Sequence, residues 1–377
     1  MHEKRSLSSL LQHSPGEDGK PQSQPARVVT VVHRYFLWVL IGAYAVAAVL
    51  PAPGLWIRDI RLGDISVLKA KMHVSLLLIL RAALMFNAGL GVKTLHLRAV
   101  VRNAWVLAAG LAANVLVPTV TIFAITTLVL NFWHNPLESQ HILVGLALVA
   151  AMPIAGSSTA WAQNSNGNLA LSLGLVLCST LLSPLVTPMV FYVLGELASN
   201  EYELVLHDLA DYSSAAFLGL WVVLPSMMGL GVRFVVPEPR LAAVMPYIKL
   251  SNSIILLTLN YSNASVSLPK AVEEHDLDFL AITLSITTCL CVAAFSAAYW
   301  LSCLFNLDEA ERVSLMYGLG MNNNGTALVL ASLALASFPR IMVPIIFYNI
   351  IQHLVAGAVN QFTPREAKAG QTVLGST

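Results

Sequence analysis

Two stretches hold the residues best suited to chemistry. The first runs from Pro153 to Asn168 and contains Gly156, Ser157, Ser158 and Thr159. The second runs from Gly318 to Thr326 and contains Gly320, Met321, Asn322, Asn323 and Gly325. Each interrupts an apolar run. Hydroxyl and amide oxygens, together with carbonyls freed where a helix unwinds, suit a small cation. The positive N-terminal end of a following half-helix suits an anionic group. Neither stretch pairs a nucleophile with a base or sets two carboxylates together, so enzymatic acid–base or covalent chemistry is not expected. The four cysteines, Cys178, Cys289, Cys291 and Cys303, fall in apolar runs without metal-ligand spacing and are expected to pack as small apolar residues.

Three other places add polar groups to apolar surroundings. Arg81 lies near the middle of the second apolar run. An arginine at that depth is costly and is a functional candidate by default, and its planar fork matches a carboxylate or sulfonate. Asn260 and Asn263 are three residues apart and share one helix face. Gln352 and His353 sit side by side in the last apolar run.

The elements that must position these groups are membrane helices. Of the 377 residues, 56% are hydrophobic and 11% charged, far below the roughly 25% charge of soluble domains. The hydrophobic residues come in blocks, not in the alternation of a β-barrel. Ten spans are predicted: Tyr35–Leu50, Met72–Val92, Ala104–Leu130, Ile142–Gln163, Leu169–Gly195, Ala215–Val232, Tyr247–Leu268, Phe279–Leu304, Val313–Ala336 and Ile341–Val359. The fourth and ninth carry the two polar breaks. The fifth is expected to be broken by Pro184 and Pro188, and Trp56–Ile65 to lie along the interface as an amphipathic stretch.

A polar connection, Glu196–Tyr212, separates five spans from five. An odd number per half puts the halves in opposite orientations, so two repeats would be inverted. The predicted fold is an all-α membrane protein. Its parts are a disordered cytosolic tail over 1–30, a first five-helix repeat over 31–207, a second over 208–360 and a short tail over 361–377. The N-terminus lacks the short basic region before an apolar core that marks a cleavable leader. Thirteen Lys and Arg against six favour both termini in the cytoplasm, with the protein in the cell's inner membrane. A net charge of +1 gives no reason to expect nucleic acid as a partner.

With both motifs in view, the chain resembles the bile acid:sodium symporter family. The first signature is Pro153 followed by Gly167-Asn168, then Ala170, Leu171 and Ser172, then the run from Ser179-Thr180 to Pro188. The second, Gly-Met-Gln-Asn-x-Gly in the family, appears as Gly320 to Gly325 with Asn322 in the glutamine position. The resemblance implies ten spans in two inverted repeats. It also implies a core domain with two crossed discontinuous helices, a panel domain, a substrate cleft between them and two sodium ions behind the crossover.

Carried over by position, Ser158, Thr159, Ser172, Leu319, Met321 and Asn322 would hold sodium. Pro153, Gly156, Gly318, Gly320 and Gly325 would shape the crossover backbone. Arg81, Asn260, Asn263, Asn323, Gln352 and His353 would face the substrate. The chain departs from the family at four ligand positions: Gly318 replaces a glutamate, Ala113 a glutamine, Val176 a threonine and Thr159 an asparagine. Two readings follow. One is sodium-coupled transport of a bile-acid-like or other organic anion across the bilayer. The other is sodium-independent facilitated, exchange or export transport on the same fold.

Overall fold

A computed structural model of the chain describes residues 38–67, 70–92, 104–273 and 276–362. The tail expected over 1–30 and all but the first two residues of that expected over 361–377 lie outside the described residues, as do Lys93, Arg98 and Arg102 of the orientation argument; residues 361 and 362 belong to the last helix.

The described chain is almost wholly helical. Helix α1 (Trp38–Val49) meets α2 (Ala52–Asp59) at a bend of 93°, where Pro51 and Pro53 interrupt the helical donors. A two-stranded antiparallel hairpin follows, β1 (Arg61–Val67) and β2 (Ala70–Ser75). This corrects two expectations. The interfacial stretch is a helix followed by a strand, and the second span begins at Leu76, not Met72, with Ser75 capping α3 (Leu76–Leu90) through the Leu78 amide.

Next come α4 (Ala104–Leu128), α5 (Pro136–Ala151), α6 (Ser157–Asn164) and α7 (Leu169–Gly195). Helix α7 is continuous through Pro184 and Pro188, contrary to the expected break. Pro184 cannot donate to the Thr180 carbonyl, and the Ser183 hydroxyl does so instead at 2.7 Å. After α8 (Glu201–Asp208), a π-helical turn leads into α9 (Ser214–Leu218). A second π turn leads into α10 (Leu224–Val235). The remaining elements are α11 (Glu238–Glu273), α12 (Leu277–Leu304), α13 (Glu309–Gly320), α14 (Asn324–Ala334) and α15 (Met342–Phe362).

Among the described residues, six helices are long and apolar enough to cross a membrane, or seven if the bent α1–α2 pair is one span. Large apolar side chains such as Leu116, Val120, Leu185 and Trp300 are exposed on them, as expected of surfaces that meet lipid. Helices α3, α5 and α14 are shorter apolar segments.

Helix α10 lies along α3. A Cβ on Gly89 or Gly229 would come within 1.9 Å of the facing backbone carbonyl, so the two glycines set this close approach. Helix α11 packs on α2 and α3, and the Tyr261 hydroxyl donates to the Leu50 carbonyl at the α1–α2 bend (2.6 Å). Helices α1, α2, α3, α10 and α11 form one assembly, and a second joins α4, α5, α6, α7, α12, α13, α14 and α15. Arg340, just before α15, pairs with Asp276, just before α12 (2.6 Å), and lies 3.9 Å from Glu138 at the start of α5. Helices α5, α12 and α15 therefore begin at one end of the molecule.

Candidate substrate and ion site

The two polar breaks meet. Helix α5 stops at Ala151 because Pro153 offers no amide to continue it. Helix α13 stops at Gly320. The unwound segments between the half-helices pair antiparallel, with Ile154 opposite Asn322. The Ala155 amide donates to the Met321 carbonyl (2.8 Å) and the Asn323 amide to the Pro153 carbonyl (2.9 Å). Buried backbone polar groups must find partners at this depth, and each break supplies them to the other.

Side chains complete the joint. The Ile154 amide donates to Ser179 Oγ (3.1 Å), the Thr187 hydroxyl to the Ala151 carbonyl, and Asn322 Nδ2 to the Val149 carbonyl (3.0 Å). The run Ser179 to Pro188 therefore acts as a brace for the first break. Gly320 is required by packing, since a Cβ there would sit 2.2 Å from the Phe295 ring. Gly156 is not: its φ of −60° is right-handed helical, and a Cβ would meet nothing within 4 Å.

A polar relay leads away from the joint. The Asn322 amide donates to Gln352 Oε1 (3.0 Å), and Gln352 Nε2 donates to Asn349 Oδ1 (3.1 Å). Asn349 Nδ2 donates to Tyr44 OH (2.8 Å) and to Asn260 Oδ1 (3.1 Å), and Tyr44 OH donates to Asn260 Oδ1 (2.7 Å). Asn260 and Gln352 are thus brought together through Asn349 and Tyr44, neither of which the sequence singles out. Asn349 carried a signal, since it lies three residues before Gln352 on the same face. His353 sits apart from this relay: its Nδ1 accepts from Trp161 Nε1 (3.4 Å), and Trp161 stacks on Tyr317. Asn263 is buried with neither amide atom hydrogen-bonded.

Arg81 reaches the first turn of α14. It is 1% exposed and donates to the Thr326 hydroxyl. Its Nη1 lies 3.3 Å from where a Cβ on Gly325 would be, so Gly325 leaves room for it. Its Nε has no partner, and among the described residues no carboxylate pairs with it. The first turn of α14 contains no acidic residue. A buried guanidinium thus faces the positive end of a helix, an arrangement that an anion would relieve. Asn324, in the same turn, is buried with both amide atoms unpartnered. Gly156, Gln163 and Asn164 are exposed and Asn323 and Gly325 half-buried, so the joint is open along the α6 side.

The oxygen groups considered for a cation divide in two. Ser158 is fully buried with its hydroxyl unpartnered, and Ser172 donates to Thr159 Oγ1 (3.2 Å). Asn322 Oδ1 is also unpartnered. The Met321 carbonyl, however, is taken by the pairing of the breaks, and Leu319 belongs to a small apolar cluster with Val106, Ile154, Leu171, Leu175 and Leu315. Ala113 and Val176 pack against that cluster, and a Cβ on Gly318 would lie 2.9 Å from Leu175. The space beside Gly318 is therefore filled by a leucine side chain.

Comparison with known proteins decides the family. The model of the Sodium Bile acid symporter family matches residues 76–274, from the start of α3 to just past α11. The chain belongs to the sodium bile acid symporter family. This is a family of membrane transporters, not of enzymes, and with the apolar helices it makes the protein an integral membrane protein.

Two relatives are a probable sodium/metabolite cotransporter, BASS2, chloroplastic, of Oryza sativa subsp. japonica, and the uncharacterized protein YbaS of Bacillus subtilis (strain 168). The first is 28% identical over 251 residues, 66% of this chain and 54% of the relative. The second is 27% identical over 215 residues, 57% of this chain and 66% of the relative. The matches span between about half and two thirds of these relatives' own length.

Proposed function

We propose that this protein is a secondary transporter that carries a small organic anion across the membrane by alternating access, with the crossed breaks as its transport centre. The observation that carries the reading is Arg81, a buried guanidinium at the N-terminal end of α14 that pairs with no carboxylate among the described residues. A carboxylated substrate entering past Asn323 and Gly325 would pair with Arg81, with Asn260, Asn263, Gln352 and His353 lining the cleft. A buried arginine retained only for structure would be expected to have a charged partner or backbone carbonyls of its own.

The architecture proposed for this function has ten spans. Counting α3, the broken pair α5–α6 and the broken pair α13–α14 as spans, alongside the seven described above, gives that number. Residues 31–207 and 208–360 would form inverted five-helix repeats, with α1, α2, α3, α10 and α11 as the panel. Both termini would lie in the cytoplasm of a cell whose inner membrane holds the protein.

Sodium is the coupling ion that the family name and the rice relative suggest, with Ser158, Thr159, Ser172, Leu319, Met321 and Asn322 as its ligands. One observation favours the sodium-independent reading instead: Leu175 occupies the space beside Gly318, and Ala113 and Val176 join its apolar cluster. A site without a carboxylate there offsets the desolvation of a cation poorly.

The substrate reading is tested by thermal unfolding of the purified protein with matched pairs of small carboxylates and their uncharged amides. Carboxylates should stabilise it and the amides should not. Equal shifts for both members of each pair would remove the anion from the proposal.

A further inference from the structure

We infer that Asn349 is the positioning residue that ties the transport centre to the α1/α11 side, and that the two hydrogen bonds it donates there must open during each transport cycle. The inference rests on the transport reading for its role in the cycle. The contacts themselves are independent of any substrate.

The hydrogen-bond directions are fixed from one end. The Asn322 amide can only donate, so Gln352 must turn its carbonyl oxygen toward it. Gln352 is then left with its amino group toward Asn349, which must accept through Oδ1. Asn349 is thereby committed to present Nδ2 to Tyr44 and Asn260. On that side, Tyr44 OH spends its only proton on Asn260 Oδ1, so both panel groups offer acceptors to Asn349. Every group in the chain is buried. The backbone of the joint thus sets the orientation of three side chains and ends on α1 and α11.

The bonds divide cleanly between the two assemblies. Tyr44 with Asn260 stays within one, and Asn349 with Gln352 and Asn322 stays within the other. Within this relay, the two Asn349 donations are the bonds that cross. The joint is open along α6, where Gly156 is exposed, while Asn260, Asn263 and Asn349 are sealed. Separation of α1 and α11 together from α15 on the sealed side must break both donations. It would leave Nδ2 of Asn349 without a protein partner until water or a substrate oxygen reaches it. Among the described residues, Arg81 with Thr326 and Arg58 with the Ser332 carbonyl also cross, to α14, but neither connects to the backbone of the breaks.

The test reads opening directly. Asn263→Cys places a thiol at a site that is 0% exposed, one helical turn beyond Asn260. In the full-length protein, Cys178, Cys289 and Cys303 are replaced and the buried Cys291 is kept as a reporter of unfolding. Labelling by a membrane-impermeant maleimide is measured without substrate. Two net hydrogen bonds correspond to roughly tenfold or more in the opening equilibrium. Adding Asn349→Ala should therefore speed labelling of the introduced thiol about tenfold, with Cys291 still protected. Tyr44→Phe, which leaves the donation from Asn349 to Asn260 in place, should give a smaller rise.

Unchanged labelling in both variants would overturn the inference. So would an Asn349→Ala rise matched at Cys291, since that is loss of fold. In uptake, the variant should change the maximal rate more than the half-saturating substrate concentration. A change confined to half-saturation would make Asn349 a substrate ligand instead. Absence of any uptake by the unaltered protein would fail the transport reading and leave the labelling result to decide the contact.

Discussion

Arg81→Met separates a substrate-binding arginine from a structural one by sign. Methionine keeps much of the volume, removes the charge and is at home beside Met85, whose sulfur lies 3.7 Å from Arg81 Nη2. Arg81 is 1% exposed, bonded to one neutral hydroxyl and unpaired with any described carboxylate. Its removal relieves a desolvated charge, so the substrate-free protein should be unchanged or more stable, by up to about 1–4 kcal/mol on the scale of buried ion groups replaced by apolar ones. The bound anion, by contrast, loses its charge partner. Truncating one member of a buried, hydrogen-bonded charge pair costs about 2–5 kcal/mol, which is from about 30-fold to several-thousand-fold in affinity. The assay is thermal unfolding with and without a stabilising carboxylate, followed by titration of that carboxylate. A variant that unfolds at lower temperature yet binds the anion as before would refute the assignment of Arg81 to substrate.

Other variants probe the frame around the site. Gly320→Ala forces a Cβ to within 2.2 Å of the Phe295 ring and should destabilise the protein by about 1–3 kcal/mol. Phe295→Ala in the same chain should recover part of that loss, measured by thermal unfolding of the two singles and the double. Gln352→Leu leaves the Asn322 amide without its acceptor and should cost about 1–3 kcal/mol in thermal unfolding. At the end where α5, α12 and α15 begin, the Asp276 carboxyl titrates below its ordinary value. Burial pushes it up, but hydrogen bonds with Asp278, Arg340 and the Phe279 amide, together with the Arg340 charge, more than reverse that. Its contribution to stability is therefore present above the ordinary carboxylate range and lost as the pH falls through and below it. Asp276→Asn should flatten the acid limb of a stability-against-pH curve and leave the neutral region less stable.

The breaks were legible in the sequence because Pro153 and Gly320 sit in apolar runs with amides and hydroxyls beside them, a pattern that fits no uninterrupted membrane helix. Arg81 was legible because charge at that depth is rare. What the sequence could not show is which distant groups meet. Tyr44 and Asn349 are joined across 305 positions, and no local periodicity announces such a pair. The same holds for Leu175, an ordinary apolar residue whose meaning comes from the glycine it faces. The hairpin before α3 was missed because its strands are short and polar, and its pairing, Asp64 with His73 among others, outweighed the apolar trend that suggested an earlier helix start. Pro184 and Pro188 suggested a break in α7, but a hydroxyl one residue away took up the freed carbonyl. Proline marks a lost donor, and whether the helix stops depends on what replaces it.

The most direct test of the central claim is uptake of labelled small carboxylates into proteoliposomes containing the purified protein, under an inward sodium gradient and in matched potassium buffer. Saturable carboxylate uptake that Arg81→Met abolishes at low substrate concentration is expected, with the sodium-to-potassium ratio reporting the coupling. Flux no greater than in protein-free liposomes, or uptake indifferent to Arg81, would contradict the central claim.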